Sequence, residues 1–353
     1  ESIDSLIAAA NSSRADGAAG NLPIMQAAHG KGPLFAAKLT LTPDGCVLGW
    51  AWHHPVGDYY SLVSLISAWA SAYRGVPHKP GLEVIDRDAY LSQHLPDLPG
   101  AVSALKVMSA VDVCRLVAGV SHRSRRVLLA FTDDDLETIR AALTREQRIN
   151  ADDALWAQIF MTIRELRGKA TPSQLGMTVD LRNRGRLPTN LLGNIVDFAF
   201  ETAAPGDDAA KVAAGMREKI RNFAGSHISH HATLRYVAAH SSRWQRSLYM
   251  PIGFDPYAGN LLVSSLVRFS YDPVVFDPTA PVVRNFVKTA DSFWSGLVFE
   301  PPPAQLPGQP TRIVSLWLPD NIARCLEGEE GRARVLAAAK QSIRPVQAQA
   351  AAI

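Results

Sequence analysis

The nonapeptide His53-His54-Pro55-Val56-Gly57-Asp58-Tyr59-Tyr60-Ser61 sets two imidazoles and a carboxylate within one short turn. Histidine changes charge near neutral pH, so it suits removal of a proton from a hydroxyl or amine. Adjacent residues of an extended segment point to opposite faces, so only one of His53 and His54 can look into a given cleft. From local chemistry alone, a carboxylate four residues after His54 would orient its ring as a dyad. The bland alternative is a strand-end histidine pair beside a turn aspartate.

The elements that would hold this turn are legible on both sides. Leu34–Leu41 and Cys46–His54 read as a hairpin around Thr42-Pro43-Asp44-Gly45. The apolar run Val47 to Trp52 then delivers the histidines to a strand end, and a helix follows from Tyr60 to about Arg74, ended by Gly75 and Pro77. Ahead of the hairpin, residues 2–15 read as a short helix. Trp50, Trp52 and Trp69 flank the motif and read as core, with an acceptor pocket as their other use.

Further along, Pro77, Pro80, Pro96 and Pro99 break the periodicity and mark a long connection. Arg126–Phe131 reads as a strand, and Thr132 caps a helix whose Asp133-Asp134-Asp135 is better explained by the helix N-terminus than by a metal. Asn150 caps a helix to about Arg167. Strands are expected at Gly176–Leu181, Ile195–Phe200, Leu261–Phe269, Pro281–Val287, Gly296–Phe299 and Arg312–Leu318. A helix is expected over Ala209–His231 with a break near Gly225, and Asp320 would cap another through Leu326. Strands and helices without regular βαβ repetition predict an α/β, mixed α+β fold of mixed sheets with helices packed on them.

The 353 residues suffice for two domains; 47% are hydrophobic and 20% charged, a globular balance that argues against long disorder. A net charge of +3 without a basic arm speaks against nucleic-acid binding. Cys46, Cys114 and Cys325 have neither metal nor redox spacing, so a reducing, cytoplasmic setting is the simpler expectation. No apolar run approaches bilayer-spanning length, and the start resembles no signal peptide. His227, His230 and His231 lack a well-spaced further ligand and read as a solvated helix end, so no metal is expected.

The His-His-x-x-x-Asp-Gly spacing resembles the signature of coenzyme-A-dependent acyltransferases and peptide-synthetase condensation domains, with Tyr59 replacing the glycine. Val179-Asp180-Leu181-Arg182-Asn183-Arg184-Gly185-Arg186-Leu187-Pro188, followed by Leu191-Leu192-Gly193-Asn194, resembles the Asp-x-Arg-x-Arg…Pro…Gly-Asn block of the BAHD acyltransferase family. Ser264-Ser265-Leu266-Val267-Arg268-Phe269-Ser270-Tyr271-Asp272 is similar to the stretch before that family's Asp-Phe-Gly-Trp-Gly motif, which here keeps only Phe276.

The resemblance implies two chloramphenicol-acetyltransferase-like domains with a channel between them. The divisions are residues 1–84, an incomplete first lobe carrying the motif; 85–125, a crossover linker; and 126–353, the second lobe. The lobe is expected to be incomplete because members carry far more residues ahead of the histidine than the 53 present here. The resemblance also implies His54 as general base, assisting attack on a thioester carbonyl and returning the proton to the departing thiolate. It turns Asp58 away from the ring onto an arginine, expected to be Arg268.

The other candidates carry weaker signals. Arg182, Arg184 and Arg186 are candidates for coenzyme-A phosphates, against a structural role in the interdomain loop. For Arg182 that structural role would run through Asp180. Ser264 or Ser265 is a candidate donor to the developing oxyanion. Tyr59 would narrow one channel mouth, and Phe293 and Trp294 would wall the channel or pack between layers. The expectation is a monomeric enzyme that moves an acyl group from acyl-CoA, a co-substrate and not a bound cofactor, to a hydroxyl or amine of a small specialised metabolite. The alternatives are transfer from a carrier-protein thioester, or a repurposed non-acylating isomerase, cyclase or binding protein.

Overall fold

A computed structural model describes residues 32–79, 81, 86–94, 105–112, 114, 124–223, 249–251, 259–267, 269, 274–279, 295–299 and 310–341, apart from interruptions at 55, 108, 110, 146–147, 169–170 and 183–186. The expected helix over 2–15, the expected strand at Pro281–Val287, the histidines after Ser226, and Phe293 and Trp294 lie outside these residues, as do Arg184, Arg186 and Arg268.

The first unit is the hairpin of β1 (Phe35–Thr42) and β2 (Gly45–Trp52), paired antiparallel with Thr42 opposite Gly45. The two-residue connection Pro43-Asp44 closes it as the turn signal requires. Helix α1 (Tyr59–Tyr73) follows at once. Its N-cap is Asp58, whose carboxylate accepts the backbone N–H of Ser61 at 3.1 Å. An aspartate there satisfies one of the first turn's orphan donors.

The second unit is a six-stranded mixed sheet in the order β4-β10-β9-β8-β5-β6. Its strands are β4 (Ser124–Phe131), β5 (Ser173–Asp180), β6 (Val196–Ala203), β8 (Leu261–Ser265), β9 (Ser295–Phe299) and β10 (Arg312–Pro319). β8 runs parallel to both β5 and β9; β4–β10, β10–β9 and β5–β6 pair antiparallel. Two short strands, β3 (Leu105–Val107) and β7 (Tyr249–Pro251), pair separately.

Alternation puts Val127, Leu129 and Phe131 of β4, Leu175, Met177 and Val179 of β5, and Val314, Leu316 and Leu318 of β10 into one core. That core is covered by α3 (Asp133–Leu143), α4 (Ala151–Leu166), α5 (Ala209–Arg221) and α7 (Gly328–Gln341). Leu91 of α2 (Arg87–His94) joins it from the segment that the prolines mark as a connection.

The caps expected at Thr132 and Asn150 are formed. Thr132 Oγ1 accepts the Asp135 N–H while the Asp135 carboxylate accepts the Thr132 N–H, a reciprocal capping box. Asn150 accepts the Asp153 N–H at 2.6 Å. Asp320 is a correction: it is the first residue of α6 (Asp320–Arg324), Pro319 occupies the cap position, and the Asp320 carboxylate instead pairs with Arg125 and Arg324. β8 is shorter than the apolar run Leu261–Phe269 suggests. A turn closes behind it, with the Phe269 N–H on the Leu266 carbonyl at 3.0 Å.

Candidate active site

β2 ends at Trp52, and the chain turns through the two histidines. The His53 N–H bonds the Leu34 carbonyl at 3.0 Å, and the His53 carbonyl accepts the Val56 N–H at 2.9 Å. The turn is clamped from below, where Trp52 Nε1 donates to the Gly57 carbonyl at 2.6 Å. Gly57 is required by close approach: a Cβ there would come within 2.8 Å of Ser61 Cβ and 2.9 Å of the Trp52 ring. The two imidazoles face different surroundings. His54 is exposed on the turn, whereas His53 is half-buried and its Nε2 is enclosed without a hydrogen-bond partner among the described residues.

Asp58 is fully engaged. Oδ2 accepts from Arg182 Nη1 at 2.8 Å and from the Ile195 N–H at 2.9 Å; Oδ1 accepts from the Ser61 N–H at 3.1 Å and from Arg182 Nη2 at 3.2 Å. Both side chains are nearly sealed from solvent, 4% and 2% exposed. The arginine on Asp58 among the described residues is Arg182, where Arg268 was expected; Arg268 lies outside those residues. An aspartate held in this way has no free oxygen with which to orient His54.

Arg182 is equally committed. Its remaining hydrogens go to Asp180 Oδ1 at 3.0 Å, the Leu191 carbonyl at 2.7 Å and the Gly193 carbonyl at 3.2 Å. The Tyr60 ring stacks on the guanidinium 4.5 Å away. This overturns Arg182 as a coenzyme-phosphate ligand, since no donor is left over. The structural role through Asp180 is the one the side chain performs. Burial pushes the Asp180 carboxyl up, against the bonds from Arg182 that pull it down.

Gly193 closes the junction. Its φ of 129° lies in the region that favours glycine. It lets the carbonyl receive the Asp58 N–H at 3.1 Å and the Ser61 hydroxyl at 2.9 Å, while its own N–H donates to Ser61 Oγ at 2.8 Å. The cap of α1 is thus welded to the β5–β6 connection, four residues from His54.

The two serines of β8 differ. Ser265 Oγ donates to Asp152 Oδ2 at 3.2 Å, and Asp152 also binds Arg312. Ser264 Oγ shares a hydrogen bond with Thr178 Oγ1 at 2.6 Å; when Thr178 gives the hydrogen to this bond rather than to the Val263 carbonyl at 3.1 Å, Ser264 keeps its own to donate. Tyr59 packs edge-on against Phe269 at 5.4 Å, joining α1 to the segment after β8. Phe276, the residue kept from the Asp-Phe-Gly-Trp-Gly motif, packs edge-on against Trp69 and Tyr73, and Trp69 continues through Phe35 to Trp52. Among the described residues no cluster of metal-ligating side chains is found, and no helix is long and apolar enough to cross a membrane.

Among solved structures the fold is similar to F. graminearum TRI101 complexed with coenzyme A and T-2 mycotoxin: 16% identity, TM-score 0.62, covering 85% of this chain and 69% of that one. Vinorine synthase matches with 16% identity and TM-score 0.57, over 88% of this chain and 66% of that chain. The epimerization domain from the third module of tyrocidine synthetase B matches with 14% identity and TM-score 0.51, over 88% and 73%. These likenesses establish the chloramphenicol-acetyltransferase-like fold. No curated relative matches the chain. Residues 10–291 match the profile of the Transferase family, and with the motifs and fold above the chain belongs to that family, the BAHD acyltransferases.

Proposed function

We propose that the chain transfers an acyl group from a coenzyme A thioester to the hydroxyl or amine of a small-molecule acceptor, with His54 as the general base. The observation that carries this is the division of labour in the turn: Asp58 is locked onto Arg182, while His54, four residues earlier, stays exposed at the strand end. His54 takes the proton from the acceptor as its oxygen or nitrogen bonds to the thioester carbonyl carbon. The tetrahedral oxyanion collapses, the C–S bond breaks, and the imidazolium returns the proton to the thiolate. The hydroxyl of Ser264 is the better candidate donor to the oxyanion, because that of Ser265 is committed to Asp152.

Mass spectrometry of products from mixed acyl-CoAs and candidate acceptors tests the reading. His54→Ala is expected to lower turnover by roughly 10²–10⁴-fold while the fold is kept, because the ring is exposed. Full turnover in the folded variant would remove His54 from the mechanism. The runner-up, a donor carried on a protein's phosphopantetheine arm, is supported by the similarity to a peptide-synthetase domain.

A further inference from the structure

Thr178 Oγ1 on β5 stands between two acceptors on β8, Ser264 Oγ at 2.6 Å and the Val263 carbonyl at 3.1 Å. A hydroxyl carries one hydrogen, so Thr178 serves one of them at a time. Ser264 Oγ has no other partner among the described residues. The pair therefore has two arrangements. In the first, Thr178 donates to the Val263 carbonyl and Ser264 donates to Thr178, so both hydrogens are used inside the protein. In the second, Thr178 donates to Ser264, whose own hydrogen is released to point outward. Rotation about two C–O bonds interconverts them, and no covalent bond is made or broken.

The strand pattern sets this pair on the side of the sheet that meets the His54 turn. Thr178 and Asp180 are two residues apart on β5 and share a face, opposite the one that Met177 and Val179 bury in the core. Asp180 holds Arg182, and Arg182 holds Asp58. The two hydroxyls thus lie one step along the strand from the junction that fixes the turn. Both side chains are half-buried, so neither is sealed away from a substrate. We propose that Thr178 is a positioning residue that switches Ser264 between these arrangements. Without a charge beside it, Ser264 donates to Thr178. As negative charge develops on the thioester oxygen, both hydroxyls rotate, Ser264 donates to that oxygen, and Thr178 donates to Ser264 from behind. The longer contact to a neutral carbonyl is given up, and a bond to an ionised oxygen, roughly twice as strong as a neutral one, replaces it. A donor released only when charge develops acts on kcat and not on KM. The proposal rests on the acyl-transfer reading above, with Ser264 as the oxyanion donor.

Steady-state kinetics of Thr178→Val and Thr178→Ser, alone and in the Ser264→Ala background, test it. Valine keeps the branched shape and removes the hydrogen. Thr178→Val is expected to lower kcat about three- to tenfold, the net contribution of one hydrogen bond, with KM for both substrates held. Thr178→Ser should restore most of kcat. In the Ser264→Ala background Thr178→Val should have no further effect on kcat, because its route to the reaction is gone. If Thr178→Val does not fold, Thr178→Cys, with a weak S–H donor, gives the same comparison. A threonine that is only structural behaves otherwise: its valine variant melts earlier but keeps kcat at a temperature where it is folded, and that result overturns the proposal. So does an equal fall in kcat with and without Ser264, or full kcat in Ser264→Ala. A wild type that turns over no acyl-CoA fells the acyl-transfer reading and the proposal together. An active wild type beside a Thr178→Val variant of unchanged kcat fells the proposal alone.

Discussion

Arg182 and Asp58 are 124 residues apart in sequence, yet they meet through two parallel hydrogen bonds in an almost dry site. The contact joins the cap of α1 to the connection between β5 and β6, so the turn bearing His54 is set against the second sheet by one ion pair and the Gly193 backbone. An aspartate placed four residues after a candidate base would ordinarily be read as its orienting partner. Here it acts on the backbone and on an arginine, and its effect on His54 is positional.

Removing one member strands the other. Arg182→Ala leaves the buried Asp58 carboxylate without its counter-ion and is expected to cost about 3–5 kcal/mol. Asp58→Asn keeps some of the backbone bonds and should cost less. Urea unfolding of both single variants and of Asp58→Asn/Arg182→Met measures the coupling. The double variant should lose clearly less than the sum of the singles; simple additivity would show that the pair is not an energetic unit.

Gly57→Ala probes the same turn from below. The added methyl meets Ser61 Cβ and the Trp52 ring at less than 3 Å, so the turn must shift at an expected cost of about 1–3 kcal/mol. Because His54 and Asp58 flank Gly57, turnover is expected to fall further than stability alone explains at a temperature where the variant is folded. A variant with unchanged kcat would show that the turn's position does not matter to the chemistry.

Ser264 and Ser265 offer a paired comparison. If Ser264 donates to the oxyanion, Ser264→Ala should lower kcat with little change in KM, by up to the 10²–10³-fold typical of one lost donor. Ser265→Ala removes the bond to Asp152 and should act on stability or on KM. Equal, small effects of both substitutions on kcat would remove Ser264 from the oxyanion role.

The features legible in the sequence are those with local causes. The hairpin follows from Pro43-Asp44-Gly45, and the helix starts follow from Thr132 and Asn150, whose side chains reach only three residues along the chain. Asp58 and Ser61 have the same spacing, so the cap of α1 carried a local signal too; placing Asp58 in a histidine motif draws attention from it. The contact of Arg182 with Asp58 has no local signal, because it depends on how the β5–β6 connection folds back on α1.

The Asp135–Arg332 pair ties the capping box of α3 to α7, with bonds of 2.8 and 2.9 Å. Burial raises the Asp135 carboxyl, but the bonds from Arg332 and Thr132 outweigh it and hold the group below its ordinary value of 3.8. A carboxyl lowered on folding contributes stability that is complete above 3.8 and is lost as pH falls through the lower folded value. Arg332→Met removes the largest lowering influence and leaves burial to push the carboxyl up. The variant should therefore be less stable than the wild type at neutral pH, begin its acid unfolding at a higher pH, and converge on the wild type once both carboxyls are protonated. Melting curves collected from pH 7 down to strongly acidic buffer read this directly, and a constant gap between the two proteins across that range would show that the pair does not set the acid limb.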